Sequence, residues 1–295
     1  MRKIDFIIVG VARCGTTSLY NYLQQHPEII MPFKKEPKFF SSINRKFPLN
    51  GPGDKIVEKE IIKNKNKYFN LFSKLDSSCL IGEASSDYFY FYKNAIPNIK
   101  KELGDVKIII CIRNPVERAF SAYNNLVRDS RENLSFEKGL EYEKSRIEEN
   151  YDWMWHYKNG GLYSDGISAF KKEFSNVMVI LNEDLDLNTD NVLKSVFSFL
   201  EVDNNIKIST SARFSVSGKP KNLFFKILSN RSGFIFVIRK YVLKFFNRKY
   251  LEFFAKYMFE KDKISYSTRI QLTKYFKSDI RKIEKILSVD LSSWK

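Results

Sequence analysis

Apolar positions along the 295-residue chain alternate between two patterns. Short, nearly continuous apolar runs at residues 6–9, 79–81, 107–112 and 177–181 have the length and β-branched content of strands. Helical spacing lies between them. Residues 17–25 end at His26-Pro27, and residues 116–127 follow Arg113-Asn114-Pro115. Tyr163, Ile167, Phe170 and Phe174 then recur on one helical face, as do Leu272, Phe276, Ile280, Ile283 and Leu287. The run at 107–112 is apolar almost throughout, which predicts a strand buried on both faces, beside the first strand at the sheet centre. The expected fold class is α/β: a three-layer α/β/α sandwich around a central, mostly parallel sheet. A single domain over 1–295 is expected, with residues 44–70, rich in Lys, Asn, Gly and Pro, as an insertion or mobile loop.

Candidate chemistry begins where the first strand ends, in Gly10-Val11-Ala12-Arg13-Cys14-Gly15-Thr16-Thr17-Ser18-Leu19. This is a phosphate-loop pattern without its lysine. In G-x-x-x-x-G-K-[ST] the lysine reaches the β/γ-phosphates and the next hydroxyl meets Mg²⁺. Here Thr16 occupies the lysine position, and Arg13 is the only cation inside the loop. Backbone N–H groups at a helix N-terminus can still cradle a phosphate. A second feature lies at the exit of the buried strand, where Arg113 and, eight residues on, Ser121 could grip one phosphate. Alternatively, Arg113 caps or salt-bridges the following helix. The third is Phe33-Lys34-Lys35-Glu36-Pro37-Lys38-Phe39-Phe40, a carboxylate among cations and aromatics.

Charge sharpens the choice of partner. The net charge is +16, and the stretch from Ile206 onward holds 21 basic and 6 acidic residues. Such a field favours nucleic acid, an anionic glycan or acidic lipid, or is simply a solvated lysine-rich surface. From about residue 222 the chain is basic, Phe-rich and expected to be helical; it could lie on an anionic membrane or present cations to an acidic glycan. Cys14, Cys79 and Cys111 are far apart and odd in number, so a disulfide framework is not expected and a reducing compartment is. The short apolar run after Met1 does not have the form of a signal peptide. No stretch approaches the roughly 20 apolar residues of a membrane span.

Together the three motifs resemble those of sulfotransferases that use 3′-phosphoadenosine 5′-phosphosulfate (PAPS), in particular the carbohydrate, heparan-sulfate-type branch. The resemblance implies a P-loop-type fold and an enzyme that needs no metal. It implies that Arg13, Cys14, Gly15, Thr16, Thr17 and Ser18 hold the 5′-phosphosulfate, with Arg13 also catalytic. Arg113 and Ser121 match the 3′-phosphate site. Ser217, Gly218 and Lys219 resemble a basic loop closing over the cofactor. Glu36 takes the place of the catalytic base. Lys35 lies beside it, and Glu83, in Gly82-Glu83-Ala84-Ser85-Ser86-Asp87-Tyr88, matches an acceptor-side element in which Ser86 replaces a proline. Asp290-Leu291-Ser292-Ser293-Trp294 resembles the family's C-terminal signature. His26, before Pro27, reads as structural. His156, within Trp153-Met154-Trp155-His156-Tyr157, lines either a sugar-binding cleft or the core. The expected acceptor is a hydroxyl or amine of a carbohydrate or glycolipid, with no nucleic-acid partner. The expected location is cytoplasmic, with peripheral contact to the inner membrane face as one reading of the basic tail. A P-loop nucleotide kinase or NTPase, and a basic peripheral protein binding anionic glycan or lipid, are the competing readings.

Overall fold

The computed structural model describes residues 4–76, 78–210, 219–220, 259–260 and 263–295. Five strands form its main sheet: β1 (Phe6–Gly10), β2 (Ile29–Ile30), β3 (Leu80–Ala84), β4 (Lys107–Ile112) and β5 (Val177–Leu181). All pairs are parallel, in the order β2-β3-β1-β4-β5. Every residue of β1 is buried, as is all of β4 except Lys107, because helices cover both faces. Phe6 stands in register with Gly82 on one side and Lys107 on the other. A Cβ at Gly82 would lie 2.2 Å from the Phe6 ring, so only glycine admits that ring.

The chain leaves β1 towards β2 through the helix Thr16–Leu23 and later crosses from β3 over β1 to β4 through the helix Tyr92–Leu103. These crossovers run in opposite directions, and a right-handed connection rule puts their helices on opposite faces. The reversal opens a crevice at the carboxyl ends of β1, β3 and β4. The helix Pro115–Arg128 starts at that crevice, with Pro115 in its first turn and the Asn114 side chain accepting from the Val116 N–H. The C-terminal helix Tyr266–Leu287 buries Leu272, Phe276, Ile280 and Ile283 and packs against Pro115–Arg128 and Ser164–Glu173. No helix among the described residues is long and apolar enough to cross a membrane.

Residues 44–70 differ from expectation. They form the helices Asp54–Glu60 and Lys65–Asn70, and the segment is tied to the rest of the fold through Arg45, Tyr68 and the buried carboxylate of Asp54. Asp54, fully enclosed, accepts from the Arg131 guanidinium, the Trp155 Nε1–H at 3.1 Å and the Asp152 N–H at 2.6 Å. A buried charge so fully bonded holds an otherwise polar stretch in place. Most of the basic, Phe-rich stretch from about 222 lies outside the described residues.

Candidate active site

Residues 10–15 turn sharply between β1 and the helix Thr16–Leu23. Val11 N–H donates to the Cys111 carbonyl at 2.7 Å, fastening the loop to β4, and Arg13 and Gly15 both take left-handed conformations. Gly15, at φ 88°, is required twice over: a Cβ there would also lie 2.6 Å from Asn182 Oδ1. It is the N-cap, with no side-chain hydrogen bond to the first turn. The N–H groups of Thr16, Thr17 and Ser18 therefore face the crevice without an intrahelical partner, a ready anion cradle at the positive end of the helix.

Beside this cradle stand three arginines. Arg13 Nε donates to Ser121 Oγ at 3.1 Å and its Nη1 to Asn125 Oδ1 at 3.2 Å. Arg128 Nη2 reaches the same Asn125 oxygen at 2.9 Å while its Nε meets Asp129. Burial, then the nearby Arg128 and Arg113 charges, lower the Arg13 pKa to about 10. Arg113 leaves β4 half-buried, and Asn114 rather than Arg113 caps the next helix. Three guanidinium groups gathered on Ser121, Asn125 and the carboxylate of Asp129 leave an excess of positive charge that an anion completes. Asn125 and Arg128 are absent from the sequence expectation. The signal was available, since Ser121, Asn125 and Arg128 fall at i, i+4 and i+7 on one helical face.

Glu36 sits at the adjoining strand end, on a left-handed turn whose N–H bonds the Ala84 carbonyl at 2.9 Å. Its carboxylate is 26 % exposed and held from both sides. Ser86 donates its N–H to Oε2 at 3.0 Å and its hydroxyl to Oε1 at 2.8 Å, and Lys35 Nζ lies 2.7 Å from Oε1. Burial pushes the pKa of Glu36 up, but Lys35, Lys38 and these hydrogen bonds outweigh it, so the group lies below the usual carboxylate range. Because Ser85 N–H bonds the Ile8 carbonyl at 3.1 Å and Phe89 N–H the Val9 carbonyl at 2.8 Å, the loop carrying Ser86 is fixed to β1, next to the phosphate cradle.

A family model described as "Sulfotransferase domain" matches residues 3–222. The chain belongs to the sulfotransferase family. Along its full length it is similar to the solved structure of a sulfotransferase from Alicyclobacillus acidocaldarius, at 31 % identity and a TM-score of 0.80, covering 100 % of this chain and 99 % of that one. It is 34 % identical over 131 residues to the membrane-associated sulfotransferase kil1 of Dictyostelium discoideum, covering 44 % of this chain and 25 % of that protein. It is 25 % identical over 196 residues to heparan sulfate glucosamine 3-O-sulfotransferase 3B1 of Mus musculus, covering 66 % of this chain and 45 % of that protein. The chain thus spans a quarter to less than half the length of these curated relatives.

Several residues expected in the sulfotransferase site lie elsewhere. Cys14 is fully buried, burial pushes its thiol up to about 12, and its N–H is taken by the Val11 carbonyl at 3.2 Å, so neither group is available to a phosphate. Thr16 is 4 % exposed, which leaves its backbone as the contribution. Glu83, in β3, is fully buried, where Tyr68 Oη donates to Oε2 at 3.1 Å and burial raises its pKa to about 8. It cannot touch an acceptor. His156 is also enclosed, its Nδ1 2.6 Å from Tyr90 Oη, and burial lowers its pKa to about 4. The surrounding Trp153, Trp155 and Tyr157 are core, so His156 is corrected from cleft to interior. Lys35 remains partly exposed beside Glu36. Ser217 and Gly218 lie outside the described residues, and the backbone of Lys219–Pro220 forms a short antiparallel ladder with Phe259–Glu260.

Proposed function

We propose that the protein transfers a sulfuryl group from PAPS to a hydroxyl, or an amine, of a carbohydrate or glycolipid acceptor, with Glu36 as general base. The carrying observation is the meeting of the Thr16–Ser18 N–H cradle with Arg13, Arg113 and Arg128 around Ser121 and Asn125. A 3′,5′-bisphosphorylated nucleoside needs two anion sites, and these are two. The cradle with Arg13 takes the 5′-phosphosulfate, and Arg113 and Arg128 with Ser121 take the 3′-phosphate. The lysine of a triphosphate-binding loop is replaced by Thr16, which disfavours ATP.

In the transfer, an acceptor oxygen attacks sulfur while the bond from sulfur to the 5′-phosphate oxygen breaks. The electron pair stays on that phosphate oxygen. Arg13 and the cradle N–H groups offset the charge that develops there. The acceptor proton passes to Glu36. Ser86 fixes both oxygens of that carboxylate, so its orientation is set before substrate arrives. A base with a lowered pKa is ionised throughout the neutral range, and its value lies in position more than in basicity.

Transfer from radiolabelled PAPS to a panel of oligosaccharides, glycolipids, phenols and peptides tests the proposal. Label in a carbohydrate product, lost in Glu36→Gln, supports it. Transfer confined to phenols or peptides, or undiminished in Glu36→Gln, contradicts it.

A further inference from the structure

The C-terminal helix Tyr266–Leu287 buries one face in the core and turns the other to solvent. On the solvent side Lys274, Lys277, Arg281, Lys282 and Lys285 line a depression of about 430 Å³. Positions 274, 277, 281 and 285 follow the helical period, so four of these cations share one stripe of about 16 Å. The two acids of the helix are engaged elsewhere. Asp279 accepts from the Tyr163 N–H at 2.8 Å, and Glu284 pairs with Lys295 at 2.7 Å. Among the described residues, no carboxylate lies within 4.0 Å of any of the five lining cations. Arg269, one turn further back, is paired with Glu117 at 2.6 Å.

Apolar side chains are exposed on the same helix. Tyr266 is 80 % and Ile270 51 % exposed, and both fall on the face of the stripe, two turns and one turn before Lys274. Tyr275 and Leu162, also exposed, adjoin Lys282 in the wall of a neighbouring cavity. A sulfated glycan or a nucleic acid in water would be met by the cations alone and would leave Ile270 in solvent. A phospholipid surface uses both features: its headgroups draw the cations, while tyrosine and isoleucine side chains enter the boundary with the acyl chains. A helix ridge is also convex, a shape that can lie against a plane.

We propose that this face docks the protein on a membrane rich in anionic phospholipid, with the cations on headgroups and Tyr266 and Ile270 as interfacial anchors. No residue of the donor or acceptor site takes part, so docking is independent of the reaction assigned above.

Co-sedimentation of the full chain with phosphatidylcholine vesicles, with and without phosphatidylglycerol, tests this. Wild type should bind only the anionic vesicles and release them as salt rises. Lys274→Gln/Lys277→Gln/Arg281→Gln should weaken that binding about 100-fold, from roughly fivefold per cation. Lys55→Gln/Lys59→Gln/Lys67→Gln, which removes equal charge elsewhere, should bind as wild type does. Tyr266→Ser/Ile270→Ser should weaken vesicle binding several-fold and leave heparin binding unchanged, and Ile270→Trp should show blue-shifted emission on adding anionic vesicles. Thermal melts establish that each variant folds. The proposal is overturned by no binding to anionic vesicles, by equal loss in the two triple variants, or by a serine variant that binds vesicles as well as wild type. Binding kept by the helix variant but lost in Arg239→Gln/Lys240→Gln/Lys244→Gln would overturn it too, since contact would then lie in the basic, Phe-rich stretch.

Discussion

The two sides of the crevice handle charge in opposite ways. On the donor side, Arg13, Arg113 and Arg128 converge, and Arg13 rests on the neutral Ser121 and Asn125. On the acceptor side, Glu36 is matched by Lys35, and the layer beneath is a compensated set in which Arg45 meets Asp152 at 2.8 Å and Asp87 at 3.7 Å, and Arg131 meets Asp54. A cluster of three guanidinium groups offset in part by Asp129 retains a demand for an anion. A balanced set stores geometry. The donor side is thus built to bind, and the acceptor side is built to hold one carboxylate in place.

Mutations should separate these roles. The largest effect is expected at Glu36, where Gln should lower kcat by about 10²- to 10⁴-fold and leave adenosine 3′,5′-bisphosphate affinity within about twofold of wild type. Because the Glu36 pKa is lowered, the wild-type rate should fall on the acid side only below the usual carboxylate range; a midpoint near neutrality would break the comparison. Arg13→Ala should weaken bisphosphate binding roughly 10- to 100-fold, the loss of charge-assisted hydrogen bonds. Arg128→Gln should cost less, roughly tenfold at most, since Arg128 also pairs with Asp129. If Arg128→Gln affected 5′-monophosphate and 3′,5′-bisphosphate equally, its place at the 3′-phosphate would be wrong.

The smallest effect concerns stability. Glu83 is buried with a pKa raised to about 8, well above that of an unfolded glutamate, so folding favours its protonated form. Stability should therefore decline as pH rises from the unfolded value through about 8. Glu83→Gln, which keeps the shape without the proton, should melt higher than wild type at alkaline pH and match it under mildly acid conditions. Parallel melting curves across that range would show that Glu83 is not a buried acid.

Much of this comparison was legible along the chain, and the gaps have physical reasons. The β1 loop, the buried β4 run, Arg113 and Ser121 are local patterns, visible because strand, glycine turn and helix start follow one another in sequence. Asn125 and Arg128 belong to the same helix face but to no short motif, so only the helical period could have exposed them. The grip of Ser86 on Glu36 joins residues fifty positions apart, a pairing that tertiary structure alone provides. Glu83 carries a motif letter without a direction, and β3 turns that side chain inward. Residues 44–70 looked like a loop because they are polar; buried partners at Arg45, Asp54 and Tyr68, all distant in sequence, make them a scaffold.

The central claim is that the donor side is shaped for a nucleoside with phosphates at both 3′ and 5′ positions. Calorimetric titration of adenosine 3′,5′-bisphosphate in the presence of a metal chelator tests it most directly. The expected result is one-to-one binding, roughly tenfold or more tighter than adenosine 5′-monophosphate. Tighter binding of Mg-ATP in a parallel titration with Mg²⁺ and no chelator, or no gain from the 3′-phosphate, would contradict it.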